Sequence, residues 1–356
     1  MRAAILNPGP CLDLYPGRAG YDLVVGVNRA ATRHPVDVWV ATDPQPVRDH
    51  FHAVVSASTG VPPLLVTGVE TWGTLDTDVP RYPGEIIDQA RYIDAAPAEY
   101  SWTSFSGLSA IVYAASRGAT EIDVYGADWR GTLDFDGAAA GENREPARWE
   151  WERSVFLNLL APHFRTRGVI LRRVVRPVFA SFFTPIYARE AAGLVATLDR
   201  FGLPRDVRQI ESHGSWVRNC ARKAEYVREA RVRHPGQPVV WLDADARVRR
   251  EPVLFNRLDC DFAAHWREGH ELLSGTCYFA PTPAADRLVD EWCRLCTVNP
   301  DVWDQLSLQA AVNATEGLRT SDLPPNYTQI FDTMAHEGEP IVEHMQASRR
   351  LREAVS

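Results

Sequence analysis

The chain has 356 residues, enough for two domains of roughly 170–180 residues and too many for one ordinary core. Apolar residues make up 45% and charged residues 24%, a globular balance that excludes wholesale disorder. The net charge of −8 divides evenly: residues 1–178 carry 17 basic and 21 acidic side chains, residues 179–356 carry 21 and 25. Neither half is therefore a basic-stripe nucleic-acid binder, and net charge does not indicate nucleic acid as a partner.

The first half alternates strand and helix signals. AAILNPGP (3–10) is a short apolar strand running into a Pro/Gly turn. DLVVGVN (22–28), VDVWVATD (36–43) and PPLLVTG (62–68) follow as strands, and SGLSAIVYAASRGA (106–119) as a helix closed by Gly118. EIDVYGAD (121–128) is a buried strand, residues 145–161 are helical, and GVILRRV (168–174) is a last strand. Strands alternating with helices predict an α/β fold with a mainly parallel sheet covered on both faces. Ligands of such sheets bind beyond the carboxyl ends of the strands.

The pattern restarts near residue 175. FASFFTP (179–185) is a new first strand, followed by a helix over 188–201, a strand VRQIES (207–212) and a long helix (217–234) stopped by Pro235 and Gly236. PVVWLDADARV (238–248) is the most apolar strand of this half. DFAAHW (261–266), then LLSGTCYFAPT (272–282) as strand, turn and strand, then helices over 283–298 and 304–315 complete it. The expected domains are 1–175 and 176–356. No stretch of about 18 apolar residues is present, so no membrane span is expected. The start MRAAILNPGP lacks a basic n-region and a long apolar h-region, which predicts a cytoplasmic protein. The six cysteines form no framework and read as buried small hydrophobes, Cys293-x-x-Cys296 included.

The strongest chemical signal is Asp243-Ala-Asp245 after the strand VVWL. Two carboxylates one residue apart at a strand end supply hard oxygen ligands to a divalent cation such as Mn²⁺ or Mg²⁺. Such a cation neutralises a diphosphate and stabilises its departure. A second signal is compositional: of 38 basic residues only Lys223 is lysine. An ammonium is a compact charge where a guanidinium is a flat fork.

Over residues 179–350 the chain resembles GT-A-fold nucleotide-sugar transferases. The segments that carry the resemblance are FFTPIYAREA (182–191), GSWVRNCARKAEYV (214–227), VVWLDADARVRREP (239–252), LLSGTCYFAPT, WDQLSLQAAV (303–312), LPPNYTQIF (323–331) and IVEHMQASRRLR (341–352), in that order. The resemblance implies a mixed sheet flanked by helices and a nucleoside-diphosphate sugar as donor. It implies that Thr184 and Tyr187 receive the nucleoside and that Lys223 and one of Arg349 or Arg350 hold the diphosphate. Asp245 is then a direct metal ligand, Asp243 contacts ribose or the metal, and His344 is the third ligand through a neutral imidazole. Ser274 and Gly275 line the sugar pocket beside the Asp304–Gln305 helix. Asp304 hydrogen-bonds the sugar or faces the anomeric carbon, and it also reads as a plain helix N-cap. Trp216 and Trp266 fit core and site equally well. The closing histidine and the Asp-Gln pair resemble retaining families more than inverting ones.

The first half resembles a bacterial and phage Rossmann-like family that includes sialyltransferase-like and 6-hydroxymethylpterin pyrophosphokinase-like proteins. NPGP (7–10), VVGVNRA (24–30), VDVWVATD and TSFSGLSAIVYAASRGATEIDVYGAD (103–128) carry it, with Pro10-Cys11 departing from the usual Pro-Ser. It implies a second nucleotide site built from Asn7, Gly9, Asn28, Asp43, Ser106, Gly107 and Asp128. Gly9 and Gly107 would let backbone N–H groups approach an anion, and Ser104, Ser106 and Gly107 precede a helix N-terminus suited to phosphate.

The leading reading is a metal-dependent glycosyltransferase whose acceptor is a modified base of phage DNA, a protein or a glycan. The alternatives are a nucleotide-sugar binding module without catalysis, or pyrophosphoryl or nucleotidyl transfer in the first half. The acceptor and the oligomeric state are not written in the sequence.

Overall fold

A computed structural model of the chain describes residues 1–59, 63–68, 84–87, 106–138 and 146–353. The chain divides into two compact units, Met1–Val175 and Arg176–Ser356. Among the described residues no helix is long and apolar enough to cross a membrane.

The first unit is a seven-stranded sheet in the order β5-β4-β3-β2-β1-β6-β7. Its strands are β1 (Arg2–Leu6), β2 (Leu23–Val27), β3 (Val38–Val40), β4 (Leu64–Gly68), β5 (Gly84–Ile87), β6 (Glu121–Tyr125) and β7 (Ile170–Val174). Every neighbouring pair is parallel. Each of β1, β2 and β6 is buried at four of its five positions, which is why they read as continuous apolar runs rather than alternating ones. The described helices are α1 (Pro44–Ala57), α2 (Ser106–Ser116), α3 (Pro146–Ser154) and α4 (Ala161–Thr166). A π-helical turn over Val155–Leu160 joins α3 to α4 and buries Val155, Phe156 and Leu160. The strand order reverses between β1 and β6, the switch point at which open α/β sheets place ligands.

The second unit is built on a mixed six-stranded sheet, β14-β12-β13-β10-β8-β9, with a three-stranded sheet β11-β16-β15. The strands are β8 (Val178–Phe183), β9 (Arg205–Gln209), β10 (Val239–Leu242), β11 (Ala246–Val248), β12 (Phe262–Arg267), β13 (Glu271–Phe279), β14 (Thr320–Asp322), β15 (Gln329–Ile330) and β16 (Val342–His344). The helices are α5 (Ala188–Arg200), α6 (Trp216–Arg233), α7 (Pro283–Val298), α8 (Asp304–Ala314) and α9 (Ala347–Glu353). Ser215 caps α6 and Thr282 caps α7, each hydroxyl accepting an N–H of the first turn. Side chains alternate along β10. Val239 and Trp241 enter the core with Tyr226, Phe279 and Trp292, whereas Val240 and Leu242 enter the opposite core with Phe179, Leu194 and Phe255.

Two readings of the sequence are corrected here. The segment 238–248 is not one strand: β10 stops at Leu242, and β11 belongs to the smaller sheet. The carboxylates of 243 and 245 therefore sit on the connection between two sheets. The segment 272–282 contains no turn between two strands; Glu271–Phe279 is one strand, paired antiparallel with both β10 and β12. Its pairing with β12 jumps between Ala264 and His265, opposite Cys277 and Leu273. Residues 274–276 have no partner on β12 at that jump, a β-bulge, while Thr276 still pairs with Leu242 of β10.

Candidate active site

The site starts from β10. The alternation that buries Trp241 also puts residue 243 on the same face, and the Trp241 indole donates to Asp243 Oδ1 at 2.9 Å. The Asp243 N–H donates to the Gly275 carbonyl at 3.0 Å, so the bulge of β13 holds the turn. β11 then pairs antiparallel with β16, Ala246 opposite His344, which brings a histidine from a hundred residues away beside Asp245. His344 Nδ1 lies 3.8 Å from Asp245 Oδ1. Ligand atoms of Asp243, Asp245 and His344 all fall within 4.8 Å of one another, close enough for one metal ion to be held by all three.

These groups are held from behind. Thr276 Oγ1 and His344 Nε2 share a 2.8 Å hydrogen bond, which leaves Nδ1 facing the carboxylates. The His344 ring lies over Gly275: a Cβ there would stand 2.9 Å from Cε1. The residue predicted to let a sugar approach thus also makes room for the imidazole. Ala347 N–H donates to Asp245 Oδ2 at 2.7 Å. Burial works to push the Asp245 carboxyl up, but the neighbouring His344 ring and the hydrogen bond from Ala347 hold it below the usual carboxylate range.

Lys223 is buried, at 7% exposure, rather than solvated on its helix. Its ammonium bridges Asp243 Oδ1 at 2.8 Å and Asp304 Oδ2 at 3.1 Å. Burial lowers its pKa, but the two carboxylates raise it more, so it stays charged. Asp304 is fully buried, its Oδ2 also accepting from Ser274 Oγ at 3.1 Å. Burial raises the Asp304 carboxyl above its ordinary range against the pull of Lys223. The N-cap of α8 is Trp303, so the N-cap reading of Asp304 is corrected: it is the first helical residue, turned inward to the lysine. Gln305 is held at both ends, its Oε1 accepting the Ser274 N–H at 3.3 Å and its Nε2 donating to Glu271 at 3.0 Å. Gln309 does the same one turn on, accepting the Leu272 N–H at 3.2 Å. These side-chain amides satisfy N–H groups of β13 beyond the end of its pairing with β10.

One cavity of about 310 Å³ opens over these groups. Thr184, Tyr187, Lys223, Asp243, Asp245, Ser274, Gly275, Gln305, His344 and Arg349 all line it. Asp304 lies beneath it and reaches it through Lys223 and Ser274. Arg349 is paired with Asp332 at 2.5 Å, and the side chain of Arg350 lies outside the described residues. Trp216 lines the cavity, whereas Trp266 packs against the core. Sequence reasoning missed Trp241, Thr276 and Glu271. Only Trp241 had a legible signal, since it shares the alternating face of Asp243.

In the first unit, most of the predicted residues meet at the switch point. Asn7 Nδ2 donates to the Tyr125 carbonyl at 3.2 Å, and Cys11 N–H donates to Asp128 Oδ2 at 2.9 Å. Ser106 Oγ accepts the Thr42 N–H at 3.0 Å, and Ser106 and Gly107 lie within α2 rather than before it. Asn28 has a positive φ of 48° and accepts from the Trp39 indole on its carbonyl at 2.9 Å. Asp43 is exposed at the N-cap of α1 and makes no side-chain cap bond. Gly9 and Gly107 both make room for neighbouring side chains. A Cβ on Gly107 would stand 2.5 Å from Asn7 Oδ1, and one on Gly9 would overlap Asp128 Oδ2. Their missing side chains are filled by the protein's own amide and carboxylate. Ser104 lies outside the described residues. All six cysteines are buried thiols, and burial pushes Cys296 up to about 12.

No family model matches the sequence, and no curated protein is similar to it. Solved structures do resemble part of it. A glycosyltransferase involved in the glycosylation of the major capsid of PBCV-1 is 18% identical, with a TM-score of 0.42, covering 51% of this chain and 100% of that one. The galactosyltransferase LgtC, in complex with donor and acceptor sugar analogs, is 11% identical with a TM-score of 0.33, covering 47% and 86%. The apo-form glycosyltransferase GlyE of Streptococcus pneumoniae TIGR4 is 11% identical with a TM-score of 0.33, covering 48% and 54%.

Proposed function

We propose that residues 176–356 are a divalent-metal-dependent glycosyltransferase of the GT-A kind, moving a sugar from a nucleoside diphosphate to an acceptor. The observation that carries this reading is the Asp243–Asp245–His344 cluster opening into one cavity with Lys223. The donor set of two carboxylates and one imidazole suits Mn²⁺ or Mg²⁺, and His344 Nδ1 is already turned to it by Thr276. A cation held there supplies charge neutralisation to the diphosphate as bound ligand and as leaving group. In this reading Thr184 and Tyr187, which line the same cavity, receive the nucleoside, and Arg349 exchanges Asp332 for a phosphate oxygen. Lys223 fixes Asp243 from behind, so its charge supports the metal ligand as well as the donor.

Retention of anomeric configuration is the better-supported outcome. By analogy with glycosidases, inversion needs a carboxylate free to take the acceptor proton. Among the described residues the carboxylates lining the cavity are Asp243, Asp245 and Glu271, and Glu271 is engaged by Arg267 and Gln305. In the first unit, the Gly9 N–H already donates to the Gly126 carbonyl at 3.0 Å, which supports a role for this glycine other than binding phosphate.

The test is release of nucleoside diphosphate from a panel of nucleotide sugars with Mn²⁺ or Mg²⁺. Turnover that needs the metal and is lost in Asp245→Asn supports the reading. Equal release without metal, or no release from a folded protein, contradicts it.

A further inference from the structure

The rim of the cavity carries an apolar patch that the donor reading does not use. Trp303 is 39% exposed, and Val302 and Leu306 beside it are 39% and 56% exposed. Apolar side chains clustered at a pocket mouth mark a place where something is covered in use. Trp303 immediately precedes Asp304 at the start of α8, and Trp216 opens α6, two turns before Lys223. Both indoles line the cavity, with ring centroids 6.3 Å apart and planes tilted by 40°. They stand at the ends of the same two helices that carry Asp304 and Lys223 into the site.

The charges around the pair narrow what can sit there. Arg218 is paired with Asp301 at 2.8 Å, and Arg267 with Glu271. Among the described residues these two rim cations each face a carboxylate, so this part of the rim is not a track of positive charge for a phosphate backbone. What the rim offers is rigid aromatic surface beside Glu271, Gln305 and Asn219, each held in place by hydrogen bonds to the protein that leave further lone pairs and amide hydrogens on the same groups. Indoles supply large contact area at low entropic cost. Their negative ring faces suit the weakly positive C–H groups on one side of a pyranose ring, and carboxylates and amides suit its hydroxyls.

Resting on the transferase reading above, we propose that Trp216 and Trp303 form the acceptor platform and that the acceptor is a saccharide presenting a pyranose ring. Trp303 is then a specificity-determining residue that touches the acceptor and not the nucleotide.

The test uses the full chain with Mg²⁺ and UDP or GDP. Saturation-transfer NMR is recorded with a panel of methyl pyranosides, lactose and chitobiose, and separately with a short oligonucleotide and a serine-rich peptide. The proposal expects signals from ring protons of at least one saccharide. Trp303→Ala should weaken that binding by roughly tenfold or more, and Trp303→Phe should recover part of it. Circular dichroism of each variant separates this from loss of fold. A wild-type protein that gives no saccharide signal, a saccharide signal unchanged in Trp303→Ala, or binding of the oligonucleotide or peptide alone would each overturn the proposal. Thermal shift by metal and nucleotide in the same samples separates the two readings. A shift without saccharide binding sinks the acceptor platform only; no metal-dependent shift sinks the transferase reading itself.

Discussion

Gly275 and His344 fit together as socket and ring: a Cβ on Gly275 would stand 2.9 Å from His344 Cε1 and 3.2 Å from Nδ1, the nitrogen facing Asp245. Gly275→Ala should therefore push the imidazole off its place while leaving the strand intact, since no left-handed backbone is required there. A displaced ligand support typically costs roughly ten- to a hundredfold in metal affinity. Titration of Mn²⁺ against the variant, followed by electron paramagnetic resonance, should show a loss of that size. Wild-type affinity would mean that His344 is not a ligand.

Lys223 neutralises two carboxylates, one of them fully buried. Lys223→Met should destabilise the second unit by roughly 3–5 kcal/mol, because Asp304 is left as an uncompensated buried charge. Adding Asp304→Asn should recover much of the stability in urea melts but none of the transfer activity. Lys223→Arg keeps the charge, yet its planar fork does not fit a point-charge position between two acids, so it should fold and turn over poorly. Equal stability of the wild-type and Lys223→Met proteins would contradict the buried bridge.

Asp206 gives a pH test remote from the metal ligands. Burial pushes its carboxyl up, but hydrogen bonds from Arg208, Arg233 and His234 pull it down to about 2, from an ordinary 3.8. A depressed carboxylate stabilises the fold above its unfolded pKa, and that contribution is lost as pH falls from near 3.8 toward 2. Asp206→Asn should cost about 2 kcal/mol at neutral pH, with the difference closing as the acid limit is approached. A constant difference down to pH 2 would show that packing, not ionisation, sets the effect.

The parallel sheet of the first unit was legible because buried strands such as β1 and β6 are continuous apolar runs between turn residues. α1 and β5 were not. α1 carries only a thin apolar stripe, Val47, Phe51 and Val54, and β5 has four residues. Asp243 and Asp245 were legible from local spacing alone. His344 was read only through the resemblance of IVEHMQASRRLR, since its approach to Asp245 depends on the pairing of β11 with β16 across a hundred residues. The bulge at 274–276 was misread as a turn because Gly275 has the composition of a turn residue, whereas its function in the fold is to seat a ring.

The most direct measurement of the central claim is nucleoside-diphosphate binding by residues 176–356 expressed alone, titrated calorimetrically with and without Mn²⁺, beside Asp245→Asn. That segment is a compact unit with its own sheets. The account predicts a folded protein that binds the nucleotide only with metal, and an Asn variant that folds equally well, since the amide oxygen still accepts the Ala347 N–H, but does not bind. Metal-independent binding, or undiminished binding by Asp245→Asn, would contradict it.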